Sequence, residues 1–542
     1  MYVFYLDTRV KHNFVPEDTR TTNEKKELDD LVGALRENRF PLRKSCMEGT
    51  RTTIVQEIED EIKNVNAPNV IWIRGSPGVG KSALAASIAN RLVDQKRLVI
   101  PFRFDRTQTT LTTNALWRTV ACDLARLFPS LRQHLVQGIQ GHNSSDIDRL
   151  FRLLIEVPLS ALGDATPREE LPVIVIDALD ECGGLRHDPS GKEDFQSLLH
   201  TLKRWTQVDH LKRFKLVITS RPEDRISQTF PKSISIHIAV PSGSDVKLGD
   251  SASQDIHVFL KSCLESMGME GALIKKALDY LVPRAAGIFI WATTTANFLE
   301  SDPESRFAML EKGDGKGLKG LYPLYSTIIK ASFGHDLEEE EIGAITSVIG
   351  AMIFAKKPLD DDVLITLPQV KIPGSNVNRL GLIRKGLASV IDSGPILHFH
   401  HRSFEDFLLS EFFREELPRF SAVQDRDHHE RQLAMLCLKT MVSSKLHFNM
   451  GNLESSVTKN VDIQPTVKSV ISPLISYSSL FWVDHLIQTL SDEKMMEAVR
   501  FVIYEKLLFW LEVMSLTGNV YEAYLILKKA LSWKVCLWVI SL

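Results

Sequence analysis

Gly75-Ser76-Pro77-Gly78-Val79-Gly80-Lys81-Ser82 is the stretch on which the reading of this chain turns. It fits G-x-x-x-x-G-K-[ST], the pattern of a phosphate-binding loop. Upstream, Asn69-Val70-Ile71-Trp72-Ile73 is a β-branched and aromatic run that reads as a buried parallel strand. Downstream, Ala83–Leu92 favours helix, with Leu84, Ile88 and Leu92 four residues apart. Strand, glycine loop and helix form the context that such a motif requires. Glycines let backbone N–H groups turn inward on phosphate oxygens, and a helix N-terminus adds positive partial charge. Lys81 would reach the β- and γ-phosphates, and the Ser82 hydroxyl would ligate Mg²⁺. The expected nucleotide contacts are therefore Gly75, Ser76, Pro77, Gly78, Val79, Gly80, Lys81, Ser82 and Ala83. An ordinary glycine turn before a helix is the bland alternative.

A second strand supports the first. Val173-Ile174-Val175-Ile176 opens directly onto Asp177-Ala178-Leu179-Asp180-Glu181. Carboxylates at the C-terminal end of a buried strand stand where open α/β sheets bind their ligands. Asp177 is expected in the Mg²⁺ shell, through water. Glu181, with Asp180 as runner-up, is expected to orient or deprotonate an attacking water. Lys215–Arg221 is another buried strand ending in polar groups, so Thr219, Ser220 or Arg221 could sense a γ-phosphate. Leu98–Phe104 contains Pro101, which places that strand at an edge or a bulge. Ile234, Ile236, Ile238 and Val240 alternate as a half-buried last strand. Strands alternating with helices from 69 to 240 imply a doubly wound parallel α/β sheet.

Around this core, residues 1–45 read as a polar, exposed arm, part-helical near Leu28–Leu35. Ile54, Ile58 and Ile62 mark a lead-in helix. One helix carries Leu116, Val120, Leu124 and Phe128; another carries Ile147, Leu150, Phe151 and Leu154 and ends near Pro158. Gly183–Asp194 reads as a polar insert before a helix with Phe195, and Ser242–Ser253 as a linker. Beyond it come helices over Ile256–Leu264, Leu273–Val282 and Ala285–Leu299, then a Gly313–Gly320 hinge. Leu387–Ile391 and Ile396–His400 suggest a hairpin, and Ser403-Phe404-Glu405-Asp406 a capping box. Helices with a terminal hairpin suggest a winged helix. The expected domains are a core at 46–241, a helical domain at 242–317, a winged helix at 318–415 and a helical region at 416–542. No convincing repeat is found, and the apolar Trp533–Leu542 ends abruptly, as an incomplete chain would.

Composition narrows the class. The 542 residues exceed one core, so several domains are expected. With 65 Lys+Arg against 68 Asp+Glu, the net charge of −3 gives no electrostatic case for nucleic acid. The 6 cysteines are scattered without a C-x-x-C pair, which suits a reducing compartment. No apolar run reaches the roughly 18 residues of a membrane span, and no secretory signal is seen. A soluble cytoplasmic protein is the expectation.

Taken together, the segments resemble the NACHT family of STAND P-loop NTPases in its fungal, nephrocystin-like form. Cys46-Met47-Glu48-Gly49-Thr50-Arg51 is similar to that group's lead-in motif, Gly75–Ser82 to its P-loop and Asp177–Glu181 to its acidic motif. Thr219-Ser220-Arg221-Pro222-Glu223 is similar to its sensor segment, and Ala286–Ala292 to its helical-domain signature. Phe399–Leu408 resembles its winged-helix box. The resemblance implies an ADP-bound resting form in which His401 hydrogen-bonds the β-phosphate, and an ATP-bound form that oligomerises. It implies slow Mg²⁺-dependent ATP hydrolysis and an unidentified protein or ligand trigger. STAND proteins usually carry an effector module before the NTPase and sensor repeats after it; neither is found here. A constitutive P-loop ATPase or kinase and a non-catalytic nucleotide-binding scaffold are the competing readings.

Overall fold

The computed structural model describes residues 31–32, 42, 44–104, 113–139, 146–162, 166–182, 189–241, 249–312, 320–334, 337–370, 379–392, 394, 396–453, 467, 470–489 and 493–538, with residues 468–469 outside that set. The chain divides into two compact units, Met1–Phe307 and Ala308–Leu542.

The first unit is built on five parallel strands: β1 (Val70–Arg74), β2 (Val99–Arg103), β3 (Val173–Asp177), β4 (Leu216–Ser220) and β5 (Ile236–Ala239). Their order across the sheet is β2-β3-β4-β1-β5. Alternation sorts their side chains onto two faces. On one face Trp72, Ile100, Ile174 and Ile218 join the core of α3 (Thr113–Leu127) and α4 (Pro189–Trp205), where Trp117 stacks on Trp205. On the other, Ile71, Val175, Val217 and Ile238 pack against α1 (Thr52–Lys63) and α2 (Lys81–Asp94). Helices on both faces require apolar strands, and the three central ones, β3, β4 and β1, are apolar up to their polar C-terminal ends. β2 lies at an edge, where Pro101 costs no ladder bond on its open side.

Several sequence expectations are corrected. Leu31 and Val32 are helical and pack against the core, so the 1–45 arm is not exposed throughout. The helix expected to stop near Pro158 continues to Ser160, because a π-turn at Arg152–Glu156 accommodates a residue without an N–H. α4 starts at Pro189, inside the expected insert, since proline suits a first helical turn. Likewise α5 (Gly249–Ser266) begins inside the expected linker. α6 (Gly271–Ala285) is followed by Ala286 and Gly287, both at positive φ, so the apolar helix α7 (Phe289–Leu299) begins four residues later than Ala285. The 313–319 part of the expected hinge lies outside the described residues.

The second unit is helical among its described residues. α8 (Leu321–Phe333) brings Tyr325 against Phe404 and Phe407 of α9 (Arg402–Leu408). The expected hairpin is reduced to isolated bridges, Ile391 with Phe399 and Asp360 with Ile396. Leu387 belongs to a helix, Arg379–Leu387, rather than to a strand. α10 (Arg426–Val442) and α11 (Pro473–Leu486) pack together in the C-terminal part. No described helix is long and apolar enough to cross a membrane.

Candidate nucleotide site

Within the first unit, the glycine loop, Asp177–Glu181 and Thr219–Arg221 all lie at the C-terminal ends of parallel strands. β1 ends at Arg74, and the glycine loop carries the chain into α2. Gly78 (φ 78°) and Gly80 (φ 96°) occupy the left-handed region, where a side chain would add strain. Gly80 is the N-cap of α2, and neither a side-chain cap nor a first-turn acid satisfies the helix start. Its first N–H groups are therefore suited to an anion. Lys81 folds back over the loop, its Nζ donating to the carbonyls of Gly75 (2.9 Å) and Ser76 (3.0 Å). Ser82 follows it, and the Ala83 carbonyl accepts from Ser87 Oγ.

Asp177 closes β3 and is fully buried. Its Oδ1 accepts from Thr219 Oγ1 at 2.6 Å, and that hydroxyl accepts from the Ala178 N–H at 2.9 Å. Asp177 Oδ2 has no hydrogen-bond partner among the described residues. A buried carboxylate oxygen left this way normally costs about 1–3 kcal/mol or more. Ala178 adds strain at the same point: φ is 58°, a left-handed turn costing a non-glycine residue about 1–2 kcal/mol. Both features sit where the sequence placed the metal ligand.

The three sensor candidates have separate partners. Thr219 holds Asp177. Ser220 Oγ accepts from Trp72 Nε1 at 2.7 Å and donates to the Arg221 carbonyl. Arg221 is paired with Asp180, its N–H on Oδ1 at 3.1 Å and its Nε 3.2 Å from Oδ2. Asp180 is thereby engaged in orienting Arg221, while Glu181, one residue on, is partly exposed. The electrostatics of Lys81 tie these groups together. Burial lowers its ammonium from the ordinary value; Asp180, Asp177 and Glu181 oppose that effect and Arg221 adds to it. Lysine, three acids and arginine converge although β4 separates β1 from β3.

His401 belongs to the second unit. It is the N-cap of α9, its Nδ1 accepting from the Ser403 N–H at 3.1 Å. The expected Ser403–Asp406 capping box is therefore corrected: the helix starts two residues earlier and the imidazole caps it. Ser403 Oγ lies 2.7 Å from both that Nδ1 and the buried Tyr325 hydroxyl. With Nδ1 accepting, a neutral ring carries its proton on Nε2.

The donor set fits Mg²⁺ and a nucleotide polyphosphate. Asp177 offers an unused oxygen, Ser82 a hydroxyl and α2 an uncapped N-terminus, in keeping with an ion that binds through few protein ligands plus phosphate. Sequence reasoning quoted Arg51 and Ile290 within family-like motifs without giving them a place at the P-loop, and it missed Asp255, which holds Arg51, and the Thr219–Asp177 bond. The positive-φ pair Ala286-Gly287, legible only as a glycine turn, is the signal that could have located Ile290.

Residues 49–221 match the family described as Nephrocystin 3, N-terminal. No curated protein matches. Among solved structures, the chain is similar to a signal transduction ATPase with numerous domains (STAND) bearing a tetratricopeptide repeat sensor from Pyrococcus horikoshii. That match has 14% identity and a TM-score of 0.36, over 93% of this chain and 78% of that one. A Walker-type ATPase of Pyrococcus abyssi matches at 13% identity and TM-score 0.31, over 68% and 98%. The ORC2 protein of Aeropyrum pernix matches at 10% and 0.31, over 72% and 96%.

Proposed function

We propose that this chain, whose residues 49–221 are a NACHT-like P-loop NTPase of the nephrocystin type, works as a nucleotide-operated switch that binds ATP and hydrolyses it slowly. The observation that carries the reading is the buried, unpartnered Asp177 Oδ2 at the end of β3, with the Asp177 charge felt by Lys81 at the uncapped start of α2. Ser82 and Asp177 would hold Mg²⁺, which when bound neutralises phosphate charge. Lys81 and the loop N–H groups of 78–82 orient the phosphates, and Arg221, steered by Asp180, faces the charge that develops at the γ-phosphoryl group. Glu181 takes the proton of the attacking water.

The switch itself rests on the division into a core at 46–241, a helical domain at 242–317, a winged helix at 318–415 and a helical region at 416–542. For His401 the role is donation of its Nε2 proton to the nucleotide in the ADP form. Magnitude limits that role. Moving an equilibrium from 1:99 to 99:1 takes about 5.5 kcal/mol, and one hydrogen bond to a charged group contributes roughly 1.5–3. Domain packing supplies the remainder, and the ATP form oligomerises in response to a trigger.

Thermal unfolding with and without nucleotide is the test. At 100 times Kd, ADP should stabilise the wild type by about 2.7 kcal/mol, and Lys81→Ala should remove that gain. Glu181→Gln should keep binding but lose single-turnover hydrolysis. Turnover of many per second without a trigger would favour a constitutive ATPase; binding without any hydrolysis would favour a scaffold.

A further inference from the structure

A P-loop that turns its N–H groups toward phosphate must turn its carbonyls outward, and each carbonyl then needs a donor. Lys81 serves Gly75 and Ser76. The next two outward carbonyls are served from beyond the sheet. Gly78 C=O accepts from the Ile290 N–H at 2.9 Å. Ile290 is the second residue of α7, so that N–H is one of the helix's own unsatisfied first-turn donors. Contact there is tight: a Cβ on Gly78 would come within 2.2 Å of Ile290 Cγ2.

Val79 C=O accepts from Arg51 Nη2 at 3.0 Å in a buried bond. Arg51 is only 4% exposed and has neighbours on several elements. Its N–H donates to Asp255 Oδ1 of α5 at 3.1 Å, its Nε lies 3.7 Å from Asp255 Oδ2, and its guanidinium sits 4.8 Å over the Phe289 ring of α7. Arg51 is also the N-cap of α1, at φ 58°. One side chain thus ties the lead-in helix, the P-loop and both helices α5 and α7.

We infer that Arg51, held by Asp255, is a positioning residue for the nucleotide phosphates, and that it couples the 249–299 helices to P-loop geometry. With Gly78 and Val79 carbonyls pinned outward, the following N–H groups are set inward before any ligand arrives. Preorganised donors of this kind lose no binding energy to rearrangement. The coupling is reciprocal: whatever draws Asp255 or Ile290 away loosens the loop, and phosphate binding holds those helices in place. Chemically, Arg51 acts on the phosphates through a carbonyl and touches neither base nor sugar.

This inference rests on the nucleotide-switch reading, and the experiment separates the two. Affinities of ADP, AMP and adenosine are measured by calorimetry on the full chain, for wild type, Arg51→Lys, Asp255→Asn and the double variant. Lysine keeps the charge and the backbone N–H bond to Asp255, but lacks the planar fork that sets Nη2 on the Val79 carbonyl with Nε facing Asp255. Arg51→Lys is expected to weaken ADP about tenfold while leaving adenosine unchanged. The double variant should bind ADP no worse than Arg51→Lys alone, as two residues acting in series do. Equal losses for ADP and adenosine would make Arg51 a base contact and overturn the proposal. So would unchanged ADP affinity in a variant whose nucleotide-free melting matches the wild type. If Arg51→Lys melts early without ligand, Asp255→Asn carries the same comparison. A wild type that binds no ADP overturns both readings at once, whereas wild-type binding lost only in Lys81→Ala leaves the switch reading standing.

Discussion

Two buried polar clusters, one in each unit, follow opposite rules. At the end of β3, Asp177 is fully buried with one oxygen bonded and the other unpartnered, next to a strained Ala178. In the second unit, Glu430 is as deeply buried but closes on itself. Its Oε1 takes the Lys356 ammonium at 2.7 Å and its Oε2 the His485 Nδ1–H at 2.5 Å. Nε2 of that ring accepts from the Tyr477 hydroxyl at 2.7 Å, which in turn accepts from the Lys356 N–H at 3.1 Å. Each donor in this ring has an acceptor. The contrast lies in place as well as in partners. Both Glu430 oxygens are bonded within a helical packing network, which specifies one helix arrangement, whereas the open Asp177 oxygen stands at a strand end with the glycine loop and a lysine, where a ligand can complete it.

Removing a charge from each cluster should give effects of different size. Lys356→Met leaves Glu430 buried without its ammonium and is expected to destabilise the second unit by about 3–5 kcal/mol, read by denaturant unfolding. Asp177→Asn removes a buried charge that is poorly paired without ligand. It is expected to change nucleotide-free stability by no more than about 1 kcal/mol, neutral or favourable. Equal losses in the two variants would break the distinction.

Acid sharpens the comparison. Burial holds the His485 imidazole below its ordinary 6.5, with Glu430 opposing, and burial lowers His429 as well. Glu430 is raised by burial, yet its bonds with His485 and Lys356 outweigh that and leave it below its ordinary 4.5. Groups with depressed folded values contribute stability above their unfolded pKa and lose it as pH falls through the folded one. The second unit should therefore weaken from about pH 6.5 downward, as the unfolded histidines protonate first. Melting at stepped pH should show this slope, and His485→Gln should flatten it. A small effect is expected from His401→Ala. Losing the α9 cap should cost about 1 kcal/mol, and under the switch reading ADP should also leave faster, which stopped-flow release would detect.

Much of the first unit was legible because its signals are local. The P-loop, the apolar run into Asp177 and the proline of β2 each lie within a few consecutive residues. What escaped depends on residues that meet only after folding. Nothing beside Thr219 in the chain announces that its hydroxyl holds Asp177, and Arg51 reaches Val79 and Asp255 across the domain. Lys356, Glu430, Tyr477 and His485 sit in segments read simply as helix. Boundaries slipped where one composition serves two conformations. Polar residues at the starts of α4 and α5 begin helices as readily as they fill loops, and a histidine took the capping role expected of serine.

Calorimetric binding of ATP with Mg²⁺ and with chelator, in wild type and Asp177→Asn, tests most directly whether the spare oxygen is a metal ligand. Wild type should bind ATP at least about tenfold tighter with Mg²⁺, and the variant should lose that increment while retaining metal-free binding. An increment of equal size in both proteins would contradict the assignment of Asp177, and the contrast between the two clusters with it.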